Sequence, residues 1–261
     1  MYKVLMVEKN INFRNNRGFS LSGVLQYPKK SSEECPLLVF VHGFTGDKEE
    51  KGLFSEAAEY FVNAGYAVLR FDMTGCGDSE GEFVDTTLKG QVKDLQAALE
   101  YICKVDSIKE KRIGLVAFSL GATISIMGFD PEKISAASFW SPALFPSEDM
   151  HPRYWTNTIQ KELSTNGYLK KSNLKVGRKI INDLGEVDCT EDMKRIKTPV
   201  FLVHGKQDSK INYKSTTKGK SYFFKAKSKF IVNADHSFRS SKKVRQDLFK
   251  STEQWFNTSL L

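Results

Sequence analysis

Ser119 follows the apolar run "LVAF" (115–118) and precedes Leu120 and Gly121. The stretch Ala117-Phe118-Ser119-Leu120-Gly121 is a variant of G-x-S-x-G with alanine at the first small position. Small residues there let a strand turn sharply into a helix, lift the serine oxygen above the sheet and aim the next amide into the same space. The chemistry open to such a serine is nucleophilic attack, which requires a base, an acid that orients the base, and donors for an oxyanion. "NADHSF" (233–238) offers His236, since an imidazole takes a hydroxyl proton and returns it to a leaving group near neutral pH. "HGKQD" (204–208) offers Asp208 to hold that imidazole; the plainer alternative is a turn or helix-cap aspartate. "VHGFTGDK" (41–48) offers the Phe44 amide on a backbone freed by two glycines, to act with the Leu120 amide on an oxyanion. His42 reads as a structural residue that fixes this loop, and His151 and His204 fall outside the pattern.

Each of these stretches stands at the end of a run that reads as a buried strand. "PLLVFVHG" (36–43), "YAVLRFD" (66–72), "RIGLVAFS" (112–119), "ISAASFW" (134–140), "PVFLVHG" (199–205) and "SKFIVN" (228–233) are apolar without strict alternation, as strands covered on both faces require. Val4–Phe13 and Phe19–Gln26, joined by "RNNRG", predict an antiparallel start. Between the strands, Phe54, Ala58, Phe61 and Val62 form one helical stripe, and Leu88, Val92, Leu95, Leu99 and Ile102 another, with Asp85 as candidate N-cap. A last helix is expected over Val244–Phe256. The alternation predicts an α/β fold: a mostly parallel, eight-stranded sheet with helices on both faces. Strand signals stop from Pro142 to about Thr190, in a partly helical, aromatic-bearing stretch too long for an ordinary loop. The expected organisation is a core from residues 1–141 and 191–261 with an inserted cap at 142–190.

The chain order Ser119…Asp208…His236, the elbow and the glycine loop resemble the α/β-hydrolase superfamily over nearly the whole chain. "RFDMTGCGDSEG" (70–81) is similar to the family's strand-end D-x-x-G-x-G-x-S loop, with Cys76 where many relatives carry histidine. Within the superfamily the motifs look most like small cytosolic carboxylesterases of the cinnamoyl/feruloyl esterase type. The resemblance implies a serine carboxylesterase acting on small acyl or aromatic esters, with Ser119, Asp208 and His236 catalytic, Phe44 and Leu120 at the oxyanion, and neither cofactor nor metal. An acyl thioesterase, a serine peptidase and a non-catalytic binding protein of the same fold are the rivals. Phe145, Tyr154 and Trp155 are candidate pocket walls or cap core. Cys76 has no evident low-pKa surroundings that would make it a second nucleophile.

Composition bounds the rest. With 261 residues, 40% hydrophobic and 27% charged, the chain reads as soluble and globular. No apolar run approaches the roughly 20 residues of a membrane helix, and the start lacks a signal-peptide pattern. Cys35, Cys76, Cys103 and Cys189 are scattered without a C-x-x-C pair, which points to free, mostly buried thiols in the cytoplasm and away from a zinc site. Net charge is +8, unevenly placed: residues 1–150 carry 16 Lys+Arg against 21 Asp+Glu, and residues 151–261 carry 23 against 10. Such a basic half attracts anionic substrates, membranes or nucleic acid; the plain reading is a lysine-rich solvated surface, and no nucleic-acid-binding motif accompanies it. The expected partner is a small-molecule ester, and a homodimer is compatible with the sequence.

Overall fold

The computed structural model describes residues 5–29, 35–105, 113–171 and 173–260. Val4 and Arg112, each the expected first residue of a strand, lie outside the described residues. The chain opens with an antiparallel hairpin, β1 (Met6–Arg14) and β2 (Ser20–Pro28), turned through Arg14–Gly18. β3 (Leu37–Val41), helix α1 (Leu53–Asn63), β4 (Ala67–Phe71), α2 (Leu88–Ile102), β5 (Ile113–Phe118), α3 (Leu120–Met127) and β6 (Ile134–Trp140) then alternate. After a long excursion come β9 (Val200–Gly205), α9 (Tyr213–Lys220), β10 (Ala226–Ile231) and α10 (Lys242–Ser259), the numbers between belonging to the excursion. The eight strands make one sheet in the order β1-β2-β4-β3-β5-β6-β9-β10, parallel from β4 to β10.

β3 explains why its sequence is apolar throughout. Leu37, Val39 and Val41 point into one core layer, shared with Leu95 and Leu99 of α2 and Ile124 of α3. Leu38 and Phe40 point into the other, shared with Phe54 and Phe61 of α1 and Leu248 and Phe256 of α10. A strand whose side chains alternate between two helix-covered faces has no polar face to show. α2 begins two residues later than Asp85 implies: Thr87 is the N-cap, its hydroxyl accepting the Gly90 N–H at 3.0 Å. Asp85 instead ends a short 3-10 helix, Phe83–Asp85, that precedes α2.

The excursion between β6 and β9 holds α4 (Pro146–Asp149), α5 (His151–Tyr154), α6 (Asn157–Asn166), α7 (Arg178–Glu186) and α8 (Thr190–Arg195). It also contains a hairpin that the sequence reading lacks, β7 (Tyr168–Lys171) with β8 (Leu174–Gly177), paired antiparallel outside the main sheet. Four-residue strands rich in lysine carry too few apolar positions to register as a periodic signal. No described helix is long and apolar enough to cross a membrane.

Candidate active site

β5 ends at Phe118, and Ser119 follows at φ +53°, in the left-handed region that costs a non-glycine residue energy. The strain is held from outside: the Ser119 N–H donates to Trp140 O at 3.0 Å, and its carbonyl accepts the Ala143 N–H at 3.0 Å. Gly121 is required one step on, because a Cβ there would lie 2.4 Å from Val41 O. α3 therefore starts hard against the end of β3, with Leu120 as its first residue. An amide at that position has no partner within its own helix.

His236 lies in the loop after β10. Its Nε2 stands 3.0 Å from Ser119 Oγ, and its Nδ1 stands 2.7 Å from Asp208 Oδ2. Asp208 lies in the loop after β9, with its side chain fully buried. The two loops are stitched together: Lys206 N–H donates to Ile231 O at 2.9 Å and Gln207 N–H to Ala234 O at 3.0 Å. The structure thus brings Ser119, Asp208 and His236 into one hydrogen-bonded chain at the carboxyl ends of three strands. The Phe118 ring packs against the imidazole, centroids 5.0 Å apart.

The carboxylate has four N–H donors. Oδ1 accepts from the backbone of Lys210 at 2.7 Å and Ile211 at 2.9 Å; Oδ2 accepts from His236 and, at 3.0 Å, from His204 Nε2. Burial pushes the Asp208 pKa up, but the His204 and His236 hydrogen bonds, the charge of His236 and the Ile211 amide outweigh it and hold the group well below the usual carboxylate range. His204 is a support the sequence reading set aside. Its Nε2 faces two acceptors, Asp208 and Ile211 O at 3.1 Å, so the proton sits there, while Nδ1 meets Thr216 Oγ1 at 2.7 Å. The i,i+4 spacing of His204 and Asp208 in "HGKQD" is the signal that points to it.

The loop that carries Phe44 is fixed from several sides. His42 is fully buried; its Nδ1 meets Gly43 O at 3.0 Å and its Nε2 accepts the Met73 N–H at 3.1 Å. Burial lowers its pKa, and its two backbone partners match the structural, loop-fixing place expected of it. Lys48 Nζ bridges Asp72 and Asp78 at 2.6 Å each, tying this loop to the one after β4. Cys76 in that second loop is buried, and burial together with the Asp72 charge raises its thiol pKa well above the usual value, so a thiolate is disfavoured.

Glu50 is a further group the sequence did not single out. Its Oε1 accepts the Gly43 N–H at 2.6 Å, and burial pushes its pKa from 4.5 up to about 7, against the pull of that amide, Lys51 and Arg239. Below 4.5 the carboxyl is protonated whether the chain is folded or not. As pH rises from there to about 7 the folded state retains a proton that the unfolded chain has lost, so stability falls through that window and stays lowered above it. Glu50→Gln keeps an acceptor for Gly43 and removes the titration. Relative to the parent it is expected to gain about 1–3 kcal/mol between about pH 4.5 and about pH 8 in urea unfolding. A difference that does not grow with pH would remove this reading of Glu50.

Ser119 and His236 open onto a cavity of about 310 Å³, walled by Phe44, Phe118, Met150 and Tyr154 and by Lys171 of the β7–β8 hairpin. Of the candidate walls, Tyr154 lines this space, its ring 5.3 Å from that of Phe44. Phe145 lines a separate cavity of about 500 Å³ that contains none of Ser119, Asp208 and His236. Trp155 is exposed and packs at a tilt against His151, centroids 4.8 Å apart.

Comparison with known proteins agrees with this architecture. Est1E from Butyrivibrio proteoclasticus, solved with ferulic acid bound, superposes with a TM-score of 0.82 at 22% identity, over 95% of this chain and 98% of that one. Alpha/beta hydrolase domain-containing protein 10 from mouse gives 0.75 at 18% identity, over 96% and 99%. Both similarities are of fold. In sequence the chain is 33% identical over 134 residues to the polyketide transferase ATR5 of Stachybotrys chlorohalonatus, and 24% identical over 192 residues to the mitochondrial palmitoyl-protein thioesterase ABHD10 of Mus musculus. It spans only 43% and 61% of the length of those two relatives. The model of the Hydrolase_4 family, described as serine aminopeptidase, S33, matches residues 32–184, from the strand before the glycine loop through the serine turn and into α7. With that match over more than half its length and the expected eight-stranded, mostly parallel sheet, the chain belongs to the Hydrolase_4 family and has the α/β-hydrolase fold.

Proposed function

We propose that this chain is a serine carboxylesterase that hydrolyses small acyl or aromatic, cinnamoyl-like esters through an acyl-enzyme on Ser119. The observation that carries the reading is the imidazole of His236, 3.0 Å from the Ser119 hydroxyl on one side and 2.7 Å from the Asp208 carboxylate on the other. With its Nδ1–H donating a hydrogen bond to Asp208, His236 presents a lone pair at Nε2 to the serine. It takes the hydroxyl proton as Oγ attacks the ester carbonyl, and the Phe44 and Leu120 amides receive the oxyanion. The proton then passes to the departing alcohol, and a water activated by the same imidazole releases the acid. The four donors on Asp208 keep it ionised, so it stabilises the imidazolium without taking the proton.

In this reading residues 142–190 form the cap and the remainder the core, supported by Met150, Tyr154 and Lys171 on the cavity wall. Four free cysteines support a reducing compartment, the cytoplasm. Thioester and peptide hydrolysis use the same groups; the family description favours testing the second and the ABHD10 relative the first. A panel of p-nitrophenyl, cinnamoyl, acyl-thioester and aminoacyl-amide substrates tests the assignment. Oxygen esters are expected to give the highest kcat/KM; a clear preference for thioesters or amides would replace carboxylesterase by the corresponding rival.

A further inference from the structure

The cavity over Ser119 is bounded by five cationic side chains, Lys51, Arg153, Lys171, Lys210 and Arg239. The acid among its lining residues is Glu50, whose carboxyl is turned toward the Gly43 amide and half protonated near pH 7. None of the five cations forms an ion pair with a described carboxylate. The two guanidiniums are committed to backbone oxygens, Arg153 donating to Lys210 O and Arg239 to Lys51 O. These bonds tie α5 to the loop after β9 and the loop after β10 to the segment before α1, and keep these cations on the cavity lining.

Lys171 is held by two aromatic rings of the cavity wall. Its ammonium lies 4.6 Å from the centroid of the Phe44 ring and 4.9 Å from that of Tyr154, and donates to the Tyr154 hydroxyl. Phe44 carries one of the two amides assigned above to the oxyanion. Burial, and then the charges of Lys210, Lys51 and Arg153, lower the Lys171 pKa to about 8. A half-buried ammonium without a described counter-ion, in a cleft where five cations face one partly protonated acid, is unfavourable and is relieved by an incoming anion. Four of the five cations come from the basic second part of the sequence, so part of that excess charge is gathered at the site and is not spread evenly over solvent.

We infer that this site selects esters bearing an anionic group, a carboxylate or a phosphate, with Lys171 as the specificity-determining residue and Lys51, Arg153, Lys210 and Arg239 providing the field at the mouth. The inference rests on the acyl-transfer reading of Ser119. Lysine and arginine both bind carboxylates and phosphates through charge-assisted hydrogen bonds. The two sources separate on two substrate pairs. The p-nitrophenyl monoester of glutaric acid is compared with its methyl ester, and 2-acetoxyethyl phosphate with its dimethyl phosphate triester. At about 0.02 M ionic strength the charged member of at least one pair is expected to have a kcat/KM about ten-fold higher or more, and the pair that responds identifies the anion. Raising ionic strength to about 0.5 M is expected to shrink that ratio. Lys171→Met is expected to lower the charged-to-neutral ratio by about ten-fold, whereas Lys171→Arg retains it. Ratios near one in both pairs, or an equal loss on both members in Lys171→Met, would overturn the anion site while leaving the esterase reading intact. No turnover of any of the four, with no fluorophosphonate adduct on Ser119, would overturn the acyl-transfer reading and this inference with it.

Discussion

Ser119→Ala is expected to lower ester turnover by about 10⁴-fold or more, while the urea midpoint changes by less than about 1 kcal/mol in stability. The two halves of this prediction have different causes. Turnover is lost because the only atom removed is the one that forms the bond to the acyl group, and the His236 lone pair is left without its proton donor. Stability is kept because the strained backbone at φ +53° is held by Trp140 O and the Ala143 N–H, which alanine satisfies as serine does. The exchange leaves no large cavity and strands no buried donor. Turnover within about ten-fold of the parent would show that Ser119 is a packing residue of the turn.

Asp208→Asn is expected to cost about 10³–10⁴-fold in kcat with a smaller effect on KM. The four donors around the side chain dictate how asparagine sits. Its carbonyl oxygen must face the Lys210 and Ile211 amides, which leaves the amide nitrogen at the position of Oδ2, against His236 and His204. An amide N–H cannot accept from the His236 Nδ1 proton, so the imidazole takes the other tautomer, with its proton on Nε2 toward Ser119. In that state it cannot serve as base. Measuring kcat and KM on one activated ester checks the prediction, and a loss below about ten-fold would mean that Asp208 only caps its turn.

β3 and β5 were readable because a strand covered on both faces has to be apolar at every position, and a serine, glycine loop, aspartate or histidine at the end of such a run is conspicuous. The order of the strands across the sheet was not, since β3 carries nothing in its own residues that states it pairs with β4 and β5. The β7–β8 hairpin escaped because its strands are short and lysine-rich, and Lys171 escaped with it. In a sequence Lys171 looks like any solvated lysine; its meaning comes from the Phe44 and Tyr154 rings that the fold sets around it. Glu50 is similar: "DKEEK" reads as exposed charge, and only the turn that aims the carboxyl at the Gly43 amide makes it a buried acid. The capping of α2 by Thr87 and not Asp85 is a shift of two residues, within the range over which neighbouring polar residues compete for one helix end.

The central claim is that a hydroxyl becomes reactive because one imidazole reaches it and a buried carboxylate at once. Intact-protein and peptide mass spectrometry after exposure to a fluorophosphonate tests this most directly. The account predicts one adduct, located on Ser119, formed at a rate that drops by orders of magnitude in Asp208→Asn and is absent in Ser119→Ala. A properly folded protein that hydrolyses esters while Ser119 stays unlabelled, or that labels at the same rate without the Asp208 carboxylate, would contradict it.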